Sequence, residues 1–103
     1  MISEKEKQNI KRGLISCLRA EKEIRRIVIF GSFLKSSDPH DLDVAVFQDS
    51  NEKYLPLAMK YRKKIRDVTG RIPVDIFPLR MDSEGGFFMD EIQGGEVIYE
   101  RRN

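Results

Sequence analysis

Residues 27–47 read IVIFGSFLKSSDPHDLDVAVF, and the rest of the chain is arranged around them. Ile27-Val28-Ile29-Phe30 is a continuous apolar run, β-branched and aromatic, bounded by arginines and a glycine. That composition predicts a buried strand. It stops at Gly31-Ser32. A polar loop follows, and Asp41-Leu42-Asp43 opens a second apolar run, Val44-Ala45-Val46-Phe47, which also reads as a strand. Side chains alternate along a strand, so Asp41 and Asp43 are expected on one face. Two neighbouring carboxylates repel unless a cation sits between them, and a divalent metal is the simplest candidate. At Gly31-Ser32 the strand turns, and a glycine there lets backbone N–H groups approach an anion. An anion cradle facing a carboxylate pair meets the requirements of a metal–nucleotide site.

The chain has 103 residues, enough for one small domain spanning 1–103. Such a domain buries a modest core, so a self-contact or a partner chain is expected to add stability. The formal net charge of +2 is too small to point to nucleic acid. Cys17 is the single cysteine, which excludes an internal disulfide and a cysteine-based zinc site and fits a reducing cytoplasm. No apolar run approaches membrane-spanning length, and the N-terminus lacks a signal-peptide core. A cytoplasmic protein with no membrane partner is expected.

Upstream, residues 3–20 read as a helix. Ser3 with Glu6 makes a capping-box pattern, and Ile10, Leu14, Cys17 and Leu18 fall on one face. Arg25 and Arg26 precede the first strand, at the sheet end away from Gly31. Residues 33–36 predict a short helical turn, and Ser37-Asp38-Pro39-His40 a turn. His40 is read as a turn residue paired with neighbouring carboxylates.

Downstream, cap-type residues at 49–52 close the second strand. A helix follows to Thr69, starting near Pro56, with Tyr54, Leu57, Ala58, Tyr61, Ile65 and Val68 as its apolar stripe. Lys60, Arg62, Lys63, Lys64 and Arg66 crowd its C-terminal half, where the macrodipole favours cations without any binding role. Residues 73–77, PVDIF, read as a third strand with Asp75 inside an apolar run. A charge there must be exposed at an edge, paired, or bound to a metal. A shorter helix is expected from Phe87 to Gln93, after a start signal at Asp82-Ser83 and the Gly85-Gly86 pair. Phe87, Phe88 and Met89 cannot all face one core, so one or two are expected to face a partner chain. Residues 96–100 close as a strand with Val97 and Tyr99 on one face.

The alternation of elements predicts an α/β (α+β) fold, a small mixed sheet of about four strands backed by helices. The first two strands are joined too tightly for a parallel crossover and should be antiparallel neighbours. The helix between the second and third strands permits either orientation.

A glycine-serine pair after an apolar strand, then D-x-D heading the next strand, then a lone aspartate in a third strand, resembles the minimal nucleotidyltransferases of the DNA polymerase β superfamily. The matching residues are Gly31-Ser32, Asp41-Leu42-Asp43 and Asp75, and the closing GGEVIYE is similar to the family's usual ending. The family's second loop glycine is absent, and Lys35-Ser36 stand in that region of a loop shorter than usual.

The resemblance implies a nucleotidyltransferase that uses ATP and two Mg²⁺ ions to transfer AMP to a hydroxyl. It implies metal binding by Asp41, Asp43 and Asp75. It also implies phosphate contacts from Gly31 and Ser32, with Lys35 a cation for the leaving pyrophosphate. Many minimal members act as antitoxins to a HEPN-type ribonuclease toxin, and some add AMP to it, so a toxin partner is implied as well. The chemistry suits the residues: Mg²⁺ prefers oxygen ligands, and paired metal ions stabilise the attacking and leaving oxygens of an in-line displacement. The alternative reading is a binding module that neutralises a toxin by masking it.

Overall fold

A computed structural model of the chain describes residues 2–82 and 86–102. Helix α1 (Glu4–Leu18) begins at the predicted capping box. The Ser3 hydroxyl accepts the Glu6 N–H at 3.1 Å, and the Glu6 carboxylate accepts the Ser3 N–H at 3.4 Å. Strand β1 (Ile24–Phe30) leads into a single helical turn, α2 (Ser32–Lys35), and then strand β2 (Leu42–Gln48). Helices α3 (Tyr54–Lys64) and α4 (Arg66–Thr69) precede strand β3 (Val74–Arg80). Helix α5 (Gly86–Gln93) and strand β4 (Glu96–Glu100) complete the chain.

The four strands lie in the order β3-β2-β1-β4. β1 is antiparallel to both β2 and β4, while β2 and β3 run parallel. The sheet is therefore mixed, and the tight first connection makes an antiparallel pair as expected. Residues 27–30 are all buried because both faces of β1 are covered, which accounts for an apolar run without alternation. One face carries Ile27, Ile29, Leu42, Val44 and Val46 against Leu14 and Leu18 of α1, Leu57 and Tyr61 of α3, and Ile65 and Val68. The other carries Val28, Phe30, Ala45 and Phe47, covered by Ile92 of α5 with Met89 beside it.

Several element boundaries differ from those predicted. β1 starts at Ile24, so Arg25 and Arg26 lie within the strand and pair with Asp49 (2.6 Å) and Glu100 (2.8 Å). α3 starts at Tyr54, which places Pro56 in the first turn, where its missing N–H is no loss. The predicted single helix is broken at Ile65 (φ −100°, ψ 23°). The break lets α4 turn onto α1 at Gly13, where an added Cβ would lie 3.1 Å from Val68 Cγ2. β3 continues through Pro78, which an edge strand tolerates because one side of its backbone needs no partner.

Val97 and Tyr99 do not share a face. Ile27 lies opposite Tyr99 but Val28 lies opposite Val97, so Ile98 is the extra residue of a β-bulge. Ile98 and Tyr99 both pack on the first core, and Val97 is half exposed on the other side. The readings on Ser83, on Gly85 and on the side chains of Phe87 and Phe88 lie outside the described residues. Among the described residues no helix is long and apolar enough to cross a membrane.

Candidate functional site

The sheet register assembles the acids. Phe30 of β1 lies opposite Asp43 of β2, and Asp43 lies beside Asp75 of β3. Directly paired residues point to the same face. Asp43 and Asp75 are therefore neighbours on the face that α5 covers, at the sheet end where β1 stops. Asp41 sits one residue ahead of β2. The Asp43 carboxyl is pushed above the usual carboxylate range, first by burial and then by the charges of Asp41, Asp75 and Glu91. Asp75 is exposed on the edge strand. His40 is exposed in the preceding turn.

Gly31 completes the arrangement from the other side. It has φ 83° and ψ −158°, a conformation that is essentially glycine's alone. A Cβ at Gly31 would lie 2.6 Å from Asp43 Oδ2, so the backbone of the turn rests directly against the central carboxylate. Ser32 opens α2, where the first N–H groups of a helix have no intrahelical acceptor. At the far end of this turn sits a residue that the sequence reading did not connect with the site. The Lys7 ammonium is buried and donates to the carbonyl oxygens of Phe33 and Ser36, each at 2.7 Å.

A cavity of about 320 Å³ opens beside the turn, lined by Gly31, Leu34, Lys35, Asp90, Glu91 and Gly94. Lys35 thus faces two acids of α5. A larger groove of about 540 Å³ lies on the outer side of α3, walled by Pro56, Met59 and basic side chains. It is across the sheet from the acids and has none of their chemistry.

The structure thus gathers Gly31, Ser32, Asp41, Asp43 and Asp75 at one sheet end, with Lys35 across the adjoining cavity. Among the described residues no three acidic, histidine or cysteine side chains draw together into a ready-made metal cage. The donors are all carboxylate oxygens, and their mutual repulsion acts on Asp43. Such a set fits Mg²⁺, which completes its shell with phosphate oxygens and water. Sequence reasoning missed Glu91 and Asp90. Only the packing of Ile92 over Phe30 and Ala45 swings that part of α5 towards Gly31, and no motif marks it.

Comparison with known proteins places the fold. The polymerase β nucleotidyltransferase family profile matches residues 12–103, and the chain belongs to that family. No curated protein matches the sequence. Among solved structures, one similar chain comes from the tri-AMPylated Shewanella oneidensis HEPN toxin in complex with its MNT antitoxin. The two share 16% identity at a TM-score of 0.65, over 92% of this chain and 73% of that one. A second comes from the MntA–HepT toxin–antitoxin complex, at 16% identity and a TM-score of 0.62, over 91% and 73% of the two chains. A third comes from a toxin–antitoxin structure with AMP-PNP, at 16% identity and a TM-score of 0.65, over 89% and 74%.

Proposed function

We propose that this chain is a Mg²⁺-dependent nucleotidyltransferase that transfers AMP from ATP to a hydroxyl on a partner protein, and that the partner is a HEPN-type toxin which it restrains. The observation that carries the reading is the register pairing of Asp43 with Asp75 beside a glycine turn that touches Asp43. Family membership supplies the reaction class. The AMPylated toxin complex and the AMP-PNP structure, distant in sequence, support the choice of nucleotide and partner.

In this reading the Ser32 and Phe33 N–H groups and the Ser32 hydroxyl hold the triphosphate oxygens. Lys35 balances charge on the pyrophosphate as it leaves. Asp41, Asp43 and Asp75 would hold Mg²⁺, which would supply charge stabilisation for the attacking and leaving oxygens. The acceptor oxygen bonds to the α-phosphorus, the bond to the pyrophosphate oxygen breaks, and Asp75 receives the acceptor proton. Asp75 suits that task because it is exposed on an edge strand, where an acceptor carried by another protein can reach it. The reaction belongs in the cytoplasm, where ATP is present and Cys17 stays a thiol.

The competing reading, neutralisation by masking alone, gives no role to an Asp43 carboxylate held in an electrostatically unfavourable position. Incubating the chain with labelled ATP, Mg²⁺ and the protein encoded by its neighbouring gene tests the choice. The expected result is a mass gain of AMP on the partner that Asp43→Asn abolishes. Equal neutralisation by the native and Asp43→Asn chains, with no label on either protein, would favour masking.

A further inference from the structure

We infer that Lys7 is a positioning residue for the phosphate-binding turn, and that the first two turns of α1 are part of the nucleotide site although none of their side chains touches it. The inference rests on the reading of Gly31-Ser32 as the triphosphate cradle. It adds a residue from the segment that precedes the family-matched region, which begins at residue 12.

The argument starts from α2. Its four residues make one helical turn, and one turn fixes several dihedral angles for little hydrogen bonding. It needs outside support to hold its N–H groups in place. On one side, Gly31 lies against Asp43 Oδ2. On the other, Lys7 Nζ accounts for two carbonyls at the C-terminal end, Phe33 O and Ser36 O, at 2.7 Å each. The same ammonium lies 5.2 Å from the centroid of the Phe33 ring, which is itself fully buried. A cation at the carbonyl end of a helical turn also complements its dipole. The Ile2 N–H adds a third tie, to Ser37 O at 2.9 Å.

Lysine is seldom buried, and here only 6% of Lys7 is exposed. Among the described residues Lys7 has no salt-bridge partner on α1 or elsewhere, and its ammonium reaches instead the backbone of residues 33 and 36. The ammonium is explained by the carbonyls it holds. Those carbonyls belong to the turn whose opposite end presents Ser32. Lys7 thus sets where the Ser32 and Phe33 N–H groups stand relative to Asp43, and a shift of an ångström there would separate the phosphate contacts from the acids.

The test compares the native chain with Lys7→Met, which keeps the apolar stem but removes the charge, and Lys7→Arg, which restores donors and charge. Lys7→Gln is carried alongside so that a loss of folding in Lys7→Met leaves a neutral variant to read. Amide hydrogen exchange without nucleotide is the first readout. Residues 32–37 are expected to exchange about tenfold faster or more in the neutral variants, because charge-assisted buried hydrogen bonds are lost there. β1 and β2 should keep their protection, and Lys7→Arg should restore the turn. Calorimetric affinity for Mg-ATP is the second readout, with a loss of about tenfold in the same folded variants. Unchanged exchange at residues 32–37, or acceleration spread evenly over the core, would overturn the inference. If the native chain fails to bind Mg-ATP, the exchange data still decide the role of Lys7, and the nucleotide reading alone fails.

Discussion

At the scale of single residues, Gly31 and Asp43 define each other. Gly31→Ala forces a side chain into a conformation that costs about 1–3 kcal/mol, and directs its methyl at Asp43 Oδ2. We expect a variant that still melts cooperatively at a lower temperature but no longer binds Mg-ATP in a calorimetric titration. Asp43→Asn should behave in the opposite way. The Asp43 carboxyl titrates above its ordinary value in the folded chain, so ionising it as pH rises through that value costs the native state stability. Asp43→Asn removes this cost. At neutral pH its melting temperature should therefore equal or exceed that of the native chain. Added Mg²⁺ should raise the melting temperature of the native chain and leave the variant's unchanged. A variant clearly less stable than the native chain would show that the carboxylate serves the fold rather than a ligand. Sequence made these residues legible, since glycine at a strand end and paired aspartates are chemically conspicuous. It left Lys7 hidden. A lysine on a helix reads as solvated until a loop from elsewhere in the chain is seen to cover it.

At the scale of elements, two contacts hold the frame around the site. Helix α3 is tied to the segment before β1 by Lys60, which meets Glu21 at 3.0 Å and Glu23 at 3.2 Å. Lys64 meets Glu21 at 3.1 Å, and the buried Tyr61 hydroxyl donates to Glu23 at 2.8 Å. The Lys60 hydrogen bond holds the Glu21 carboxyl below its ordinary value, against a smaller opposing effect of burial. A lowered carboxylate contributes stability that is present above its unfolded value, about pH 4.3, and is lost as pH falls through the folded one. Glu21→Gln should cost about 1 kcal/mol at neutral pH in chemical denaturation. The gap should close as the pH falls through that carboxylate range. The second contact is at Gly95, where a Cβ would meet the Ile29 carbonyl oxygen and lie 2.9 Å from Val28 Cγ1. Gly95→Ala should destabilise by about 1–3 kcal/mol or more through overpacking, read as a lower denaturation midpoint. The basic residues at the end of α3 were legible as partners of the macrodipole, and Lys60 and Lys64 are in addition partners of glutamates. The bulge at Ile98 was not legible, because a period-two pattern carries no mark of one extra residue. The break at Ile65 was hidden for a similar reason, since the apolar stripe continues through it in both helices.

At the scale of the whole molecule, the two faces of the sheet are unequal. The first is packed by α1, α3 and α4 around a large core. The second has a small core under α5 and ends in the acids. One face is thus given to the core, and the end of the other to charge. The sequence carried the fold class because two apolar runs joined by a short loop allow few arrangements. It marked the candidate site because a glycine at the end of β1, the acid pair at the head of β2 and Asp75 within β3 each interrupt an apolar run. It did not carry the position of α5, which depends on packing between distant segments, and so Glu91 emerged only from the assembled fold. The account's central claim is that Asp43 and Asp75 meet beside Gly31 to make one cation-dependent nucleotide site. Calorimetric titration of ATP into the native chain, with and without Mg²⁺, and into Asp43→Asn and Asp75→Asn, tests it most directly. The account predicts binding by the native chain that requires Mg²⁺ and weakens by about tenfold or more in each variant. Binding that is absent from the native chain, or that is equally strong in all three proteins, would contradict it.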